Sequence, residues 1–476
     1  MSQHVEKRTH RSHDAGFGGD DVSAAARRLR LEFGGAVHLP GEIGYDTQRQ
    51  PLHPTIDPRP AMVAEASGTA DVRATVVAAR EHDLPLAVQA TGHGTHVPSD
   101  GGILLKTSAM TTVLVDADRR IARVAPGARW GEVIAAAAPF GLAPLAGSAP
   151  DVGVTGYTLG GGVGWLARKY GFAADSVLRA EVITADGRLV TASADSHPEL
   201  FWALRGGGGN FGVVTALEFR LYPVTQVYAG VAYFAIESGA ETLVRYREWA
   251  AGAPDDISTA LLLTRMPDAP QIPESMRGRR VLAIKVMHAG QADEARRLLR
   301  PLWASAGPAL LDGLRPMSFG QAAMGGTAAR HLDLVHELSD PVIDILVKAS
   351  EQAGTVEIRH WGGAMAHPRP GAGPVGHRTV PFSLIVDAAL PGLAAALRPH
   401  ATGGSFLNFL TDPTKTETAY TADDHRRLRE VKRAYDPDNV FRLNHNVPPA
   451  RPGAAAGTGG RRGVARQRRV EPPGLR

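Results

Sequence analysis

After residue 60, the spacing of apolar and polar positions switches between a strand period and a helix period. A short apolar run at 61–64 is followed by the segment 71–82, whose apolar residues recur on one helical face. The next apolar run, 84–89, predicts a strand that leads directly into the polar residues 91–96. This order of strand, helix and strand predicts a unit that mixes helices with a sheet, in which ligands gather at strand ends.

Further along, paired apolar runs predict antiparallel strands. Residues 177–183 and 189–192 flank Asp186-Gly187, a strong signal for a tight turn. The run 213–221 alternates, with apolar residues on one face and charged residues on the other. The other elements predicted in this half are a hairpin of 113–115 with 121–124 and helices at 22–33, 130–138 and 198–204.

From residue 227 the pattern changes to longer strands separated by amphipathic helices. The predicted strands are 227–235, 260–264, 281–288, 356–361 and 380–386, and the predicted helices are 240–251 and 292–304. This order favours an antiparallel sheet backed by helices. Near the end, 404–410 is strand-like, 423–435 has a helical pattern and 436–439 is a turn. The chain as a whole is therefore predicted to be of the α+β class.

Glycine is concentrated in two runs, residues 147–164 and 205–212, within a chain that has 54 glycines among 476 residues. A residue without Cβ lets backbone N–H groups converge on an anion without steric cost. One such run alone is more often a tight turn. The two runs together, each flanked by strand-like sequence, indicate a large dinucleotide laid across several glycine-lined loops.

Composition narrows the function classes. The length predicts two or three structural units. A net charge of +4, to which the seven arginines of the last 26 residues contribute, does not indicate nucleic acid. No apolar run is long enough to span a bilayer, and residues 1–19 lack the apolar core of a signal peptide, so we expect a soluble cytoplasmic protein. Since the chain has no cysteine, a thiolate metal site and a Cys nucleophile are excluded.

His93 is the most interesting titratable residue, because it lies between two glycines at the end of a predicted strand. One alternative is that His93 and His96, with the histidines near the amino terminus, bind a metal in a hydrolase. No carboxylate at ligand spacing accompanies them in the sequence, which disfavours that reading. We therefore expect no metal site.

Several motifs in this order resemble the FAD-binding oxidoreductases of the p-cresol methylhydroxylase type and, within them, the berberine bridge enzyme-like group. The match covers about residues 25 to 450, and the ordered set is more specific than any single glycine motif. The motifs are Tyr45-Asp46, Asp57-Pro58-Arg59-Pro60, Gly92-His93-Gly94, Pro150 to Gly156, Leu159 to Gly162, Arg168-Lys169-Tyr170-Gly171, Glu199 to Gly212, and Tyr435 to Asn446.

Polar and charged composition predicts a disordered segment at 1–22 and a disordered basic tail at 451–476. Between them, the resemblance implies an FAD-binding domain of two α+β subdomains (23–226), a substrate-binding domain (227–402) and a berberine bridge enzyme-like segment that returns to the FAD domain (403–450).

The resemblance also implies which residues hold the cofactor. A histidine placed like His93 is bonded to the flavin 8α carbon, and such a bond raises the flavin potential. Some relatives add a second bond from a cysteine, but Ala149 stands at that position, so a single link is expected. Val152 matches a residue beside the presumed oxygen pocket, and its small side chain is compatible with reoxidation by O2. The other matching positions are Thr91, Gly92, Gly94, Ser148, Gly153, Gly156, Gly160, Gly161, Gly162, Asn444 and Asn446.

The catalytic base is harder to predict. Where the family often has a tyrosine, this chain has Phe406, and where it often has a carboxylate or amide after a His-Arg pair, spacing points to Val386. The remaining candidates for catalysis are Tyr157, His360, His377, Tyr420 and Asn408. Loss of the usual polar groups favours an amine or an apolar alcohol as substrate, since a neutral amine needs no strong base.

The sequence therefore predicts an FAD-dependent oxidase. It would remove a hydride from a CH–OH or CH–NH group of a small organic molecule and be reoxidised by O2 to give H2O2. Two alternatives stay open: a dehydrogenase that uses another acceptor, and a flavin-binding protein without turnover. No oligomeric state is predicted.

Overall fold

The computed structural model describes residues 19–52 and 56–451. The first helix begins at Gly19, so residues 19–22, expected to be disordered, are helical. The rest of the disorder expected at the two ends, 1–18 and 452–476, lies outside the described residues. Within the described part of the chain, none of the helices has the length and apolar character needed to cross a bilayer.

The first half of the chain forms two sheets and a small two-stranded pairing. The strands are β1 (Ala36–His38), β2 (Met62–Glu65), β3 (Leu86–Gln89), β4 (Ile103–Lys106), β5 (Val113–Asp116), β6 (Ile121–Val124), β7 (Leu142–Ala143), β8 (Val177–Ile183), β9 (Leu189–Ser193), β10 (Val213–Arg220) and β11 (Tyr222–Pro223). The helices are α1 (Gly19–Glu32), α2 (Tyr45–Gln48), α3 (Thr69–Glu81), α4 (Trp130–Ala137), α5 (Val154–Leu159), α6 (Ala167–Tyr170) and α7 (Pro198–Leu204).

The first sheet has the order β1-β2-β4-β3, with β4 parallel to both β2 and β3. Helices α1 and α3 cover it, because their apolar faces bury Leu29 and Val76 against Met62 and Ile103. The second sheet, β5-β6-β10-β8-β9, is antiparallel throughout. The predicted hairpins β5–β6 and β8–β9 are confirmed.

The remainder forms one large antiparallel sheet backed by helices, as predicted. Its strands are β12 (Gln226–Ala235), β13 (Ile257–Arg265), β14 (Arg280–His288), β15 (Leu311–Asp312), β16 (Arg315–Ser318), β17 (His331–Val335), β18 (Thr355–His360) and β19 (Phe382–Val386). The remaining helices are α8 (Gly239–Ala251), α9 (Ala292–Ala306), α10 (Asp340–Ala349), α11 (Leu393–Leu397) and α12 (Ala422–Tyr435). The order is β15-β12-β14-β13-β18-β19-β17, and β16 also pairs with β12.

Both faces of the large sheet are covered, which is why its central strands are almost continuously apolar. Leu261 and Ile284 on one face pack against the helices α8, α9 and α10. Ala260 and Leu262 on the other face join the apolar core of the second sheet. The large sheet therefore presents one face to the glycine-rich half of the chain.

Short 3-10 turns connect these elements. They are Ala138–Phe140, Ala173–Ser176, Ile236–Ser238, Phe319–Gln321, Gly363–Met365, Leu407–Phe409 and Pro413–Ala419. The prediction of a strand at 404–410 is wrong, because this segment contains the 3-10 turn Leu407–Phe409. The side chain of Asn408 bonds to the backbone of the first glycine run instead, which holds the segment out of any sheet ladder.

Candidate active site

A cavity of about 740 Å³ lies between the two halves of the chain. Its walls are the loop after β3, the two glycine runs, the carboxyl-terminal residues 443–445 and one face of the large sheet. Cavities of this size are typical of sites for cofactors and small molecules. The two glycine runs, which lie far apart in the sequence, thus meet at one site.

Three lining glycines, Gly94, Gly156 and Gly326, have a free space where a side chain would stand. A Cβ added at any of the three would meet no protein atom within 4 Å. Protein packing therefore does not require glycine there, and the space belongs to the cavity. Gly92 differs, because its φ of +82° is in the left-handed region and a Cβ would lie 2.8 Å from the backbone nitrogen of Leu52.

Buried polar atoms without a hydrogen-bond partner among the described residues cluster around the same cavity. They include Thr155 Oγ1, Tyr157 Oη, Asn444 Oδ1 and His445 Nδ1, each from a lining residue. Buried polar atoms are normally satisfied, so such a cluster suits an elongated polar ligand. Together with the open glycines, it fits a dinucleotide such as FAD.

The imidazole of His93 is held from two sides at the cavity wall. Its Nδ1 lies 3.1 Å from Thr91 Oγ1, and its Nε2 lies 3.2 Å from Asp151 Oδ2. Asp151 was not identified as a functional residue in the sequence, where it stands 58 positions from His93. Its position inside the first glycine run was the feature of the sequence that could have identified it as a site residue.

Most of the residues predicted to bind the cofactor line the cavity. Those that do are Thr91, Gly92, His93, Gly94, Ser148, Val152, Gly153, Gly156, Gly160 and Asn444. Gly161, Gly162 and Asn446 are not among the lining residues. Gly161 and Gly162 have φ angles of +112° and +74°, and a Cβ there would press on Phe406 and Tyr157, so backbone conformation and packing require these two glycines.

Two of the predicted catalytic residues line the cavity. The Oδ1 atom of Asn408 accepts a hydrogen bond of 2.9 Å from Gly162 N, and its Nδ2 donates one of 3.1 Å to Tyr157 O. Asn408 therefore holds the first glycine run in place. The hydroxyl of Tyr157 is buried, and burial raises its pKa, so the phenol stays neutral at ordinary pH.

The other three candidates have structural partners outside the cavity. His360 Nε2 lies 3.0 Å from Arg168 Nη1, and burial with the charge of Arg168 lowers the pKa of His360 to about 3. His377 Nε2 lies 2.8 Å from the carbonyl oxygen of Thr418. Tyr420 donates its hydroxyl proton to Gly206 O over 3.3 Å. None of the three is brought to the cavity wall.

A charged residue that the sequence reading missed lines the side formed by the large sheet. Arg359 on β18 faces the cavity, and its Nε donates a 2.8 Å hydrogen bond to Oε1 of the buried Glu357. Burial alone would raise the pKa of Glu357, but the charges of Arg359 and Lys285 outweigh it and the pKa is lowered. Charged residues two apart in an apolar strand share one face, and this spacing was the overlooked signal.

Three side chains that could ligate a metal lie close together away from the cavity. These side chains are Asp256, His288 and Glu294, the one set found within residues 19–52 and 56–451 whose ligating atoms are close enough to share an ion. None of these residues lines the cavity. That set contains neither His93 nor His96.

Comparison with known families places two matches on this architecture. Residues 60–193 match the model of an FAD binding domain, and residues 405–448 match the model described as berberine and berberine like. The first match contains the loop with His93 and the first glycine run. The second contains Asn408 and Asn444.

Individual relatives agree with these matches over nearly the whole chain. The (R)-6-hydroxynicotine oxidase of Paenarthrobacter nicotinovorans is 30% identical over 467 residues, covering 88% of this chain and 98% of that protein. The crystal structure of 6-hydroxy-D-nicotine oxidase from Arthrobacter nicotinovorans superposes with a TM-score of 0.74 at 27% identity, covering 88% of this chain and 99% of that one. BBE-like 1 of Physcomitrella patens superposes with a TM-score of 0.79 at 21% identity, covering 89% and 99%. These likenesses confirm the predicted α+β fold.

Proposed function

Because the chain belongs to the berberine bridge enzyme-like group of FAD-linked oxidoreductases, we propose that it is an oxidase acting on a CH–OH or CH–NH group of a small organic substrate. We further propose that FAD is bound through a single covalent link to His93. The observation that carries the proposal is the position of His93 in a cavity lined by both glycine runs, with its ring held by Thr91 and Asp151.

The chain's own groups suit the cofactor at several points. The open glycines Gly94 and Gly156 let the backbone approach a diphosphate closely. Asn444 and His445 offer unsatisfied polar atoms to the rest of a dinucleotide. Since the chain contains no cysteine, no second covalent link through sulfur is possible.

FAD, when bound, supplies a hydride acceptor and a route for two electrons to O2. On the substrate side, Tyr157 holds its proton at ordinary pH, so it does not act there as a base in the free enzyme. Asp151 is the only aspartate or glutamate among the described residues that line the cavity, and its carboxylate lies against His93. This arrangement supports a substrate that reacts without a strong protein base, either a neutral amine or an apolar alcohol.

Reoxidation by O2 is part of the proposal. Val152 lines the cavity and follows Asp151 in the chain, and its small apolar side chain is compatible with access of O2 to the cofactor. A relative of this chain is named as an oxidase, the (R)-6-hydroxynicotine oxidase, and this similarity supports O2 as the electron acceptor.

The link is tested by precipitating the purified, yellow protein with acid. We expect yellow colour in the wild-type pellet and colour released to the supernatant from His93→Ala. His96→Ala is the matched control, since His96 lines the same cavity three residues away, and its pellet should stay yellow. A colourless wild-type pellet, or a coloured His93→Ala pellet, would contradict the link.

The electron acceptor is tested without a known substrate. The flavin is reduced anaerobically with dithionite, and air is then admitted. Rapid return of the yellow spectrum with formation of H2O2 supports an oxidase. Slow return in air, together with fast transfer to an added dye, would instead identify a dehydrogenase.

A further inference from the structure

The cavity-facing side of the large sheet carries three buried charges. Lys285 on β14 and Arg359 on β18 are both paired in register with Ala260 on the strand between them. Residues directly opposite in neighbouring strands share a face, so the two cations flank one small alanine. Glu357, two residues before Arg359, is fully buried on the same face.

These three charges leave an excess of positive charge. Glu357 accepts from Arg359 Nε at 2.8 Å through Oε1, and from Thr327 Oγ1 at 2.6 Å through Oε2. Lys285 donates to the carbonyl oxygen of Gly325 at 3.3 Å. One carboxylate thus faces two cations. An uncompensated buried charge is costly, so such a site calls for an anionic partner.

The geometry of Arg359 shows where that partner would bind. Its Nη1 makes no hydrogen bond to any described residue, while its Nε and Nη2 are held by Glu357. The guanidinium also lies over the Trp165 ring, 5.2 Å from the ring centroid, which fixes its plane. Among the described residues that line the cavity, Arg359 is the only lysine or arginine. Asp151 is the only aspartate or glutamate among them, and its carboxylate lies against His93.

We infer that the substrate carries a carboxylate, which binds to Arg359 on the side of the cavity formed by the large sheet. The inference rests on the proposed function, because it places the substrate beside the cofactor in the same cavity. A guanidinium held in a fixed plane matches a planar carboxylate, and a charge-assisted hydrogen bond is stronger than a neutral one. Neutral analogues of the same shape should bind much more weakly.

The probe is benzoate, compared with the neutral benzamide, titrated into the flavin-loaded protein and followed by the flavin absorbance. In the wild type, benzoate should give a saturable shift and bind at least about tenfold more tightly than benzamide. Arg359→Gln should weaken benzoate binding by about 10- to 100-fold and leave benzamide unchanged. Arg315→Gln on β16, an exposed cation outside the cavity lining, is the matched control and should bind benzoate like the wild type.

Arg359→Gln leaves Glu357 without its main partner, so the double variant Arg359→Gln/Glu357→Gln is measured beside it. This variant replaces the ion pair with two amides and should also lose the preference for benzoate. Equal binding of benzoate and benzamide by the wild type, or unchanged benzoate binding in either variant, would overturn the inference. So would a lowered flavin content in both variants with benzoate binding intact, since Arg359 would then serve the cofactor. A wild type that loads no flavin would instead refute the proposed function.

Discussion

Lys432 connects the second glycine run to the carboxyl-terminal segment, and its side chain is fully buried. Its ammonium donates to Asn210 O at 2.8 Å, to Asp436 Oδ2 at 2.6 Å and to Phe441 O at 3.1 Å. Burial lowers the pKa of Lys432, and the neighbouring carboxylate of Asp436 opposes that effect. A single side chain thus joins the second glycine run to the carboxyl-terminal segment close to the cavity.

Replacing Lys432 with Met keeps most of the volume and removes the charge and all three hydrogen bonds. Asp436 would keep hydrogen bonds from Val440 N at 2.8 Å and Phe441 N at 3.0 Å, so its carboxylate is not left entirely unsatisfied. Breaking a buried ion pair by removing one partner costs about 3–5 kcal/mol. With an unfolding entropy of about 2.1 cal/mol/K per residue, a chain of this size loses about 1 °C per kcal/mol, so we expect a fall in Tm of about 3–5 °C.

The assay measures the Tm and the urea unfolding of the wild type and of Lys432→Met by tryptophan fluorescence. Lys415→Met is the control, because Lys415 is largely exposed and its ion pair with Asp412 spans 3.8 Å. It should cost less than about 1 kcal/mol. The double variant Lys432→Met/Asp436→Asn should recover part of the lost stability, since no charge is then buried alone. A loss below about 1 kcal/mol in Lys432→Met, or no recovery in the double variant, would refute this account of the ion pair.

Two further predictions follow from the cavity and its surroundings. Gly156→Val should fill the open space at the cavity wall and abolish flavin loading, while the circular dichroism spectrum stays unchanged. Gly252→Val is the control, because Gly252 also has an open Cβ position but lies outside the cavity lining, and this variant should load flavin normally. Equal flavin loading of both variants would contradict the prediction. His360 has a pKa of about 3 in the folded protein, against an ordinary value of 6.5. Between pH 3 and pH 6.5 the unfolded chain therefore binds more protons than the folded one, and the free energy of unfolding falls as the pH falls below 6.5. His360→Gln should therefore reduce the loss of stability between pH 7.5 and pH 5 by about 2 kcal/mol, measured by urea unfolding at both values, and an unchanged loss would show that His360 does not titrate in this way.

Elements specified by local pattern could be predicted from the sequence. The helix Pro198–Leu204 begins with proline at its first turn, and the hairpin β8–β9 turns at Asp186-Gly187, so both were predicted within one residue. The strand predicted at 404–410 failed for the opposite reason. Its conformation depends on Asn408 binding backbone atoms about 250 residues away, which no local pattern reports.

The same distinction applies to the site. The order of its motifs along the chain was enough to show the resemblance to the flavin-dependent family, and His93 and the two glycine runs with it, because each motif is a local feature of the sequence. Which titratable groups face the cavity was decided only by tertiary structure. His360, His377 and Tyr420 found partners in distant segments, whereas packing of the large sheet against the glycine-rich half brought Arg359 to the wall. A side chain's direction and charge environment depend on contacts between remote segments, and those exist only in the folded chain.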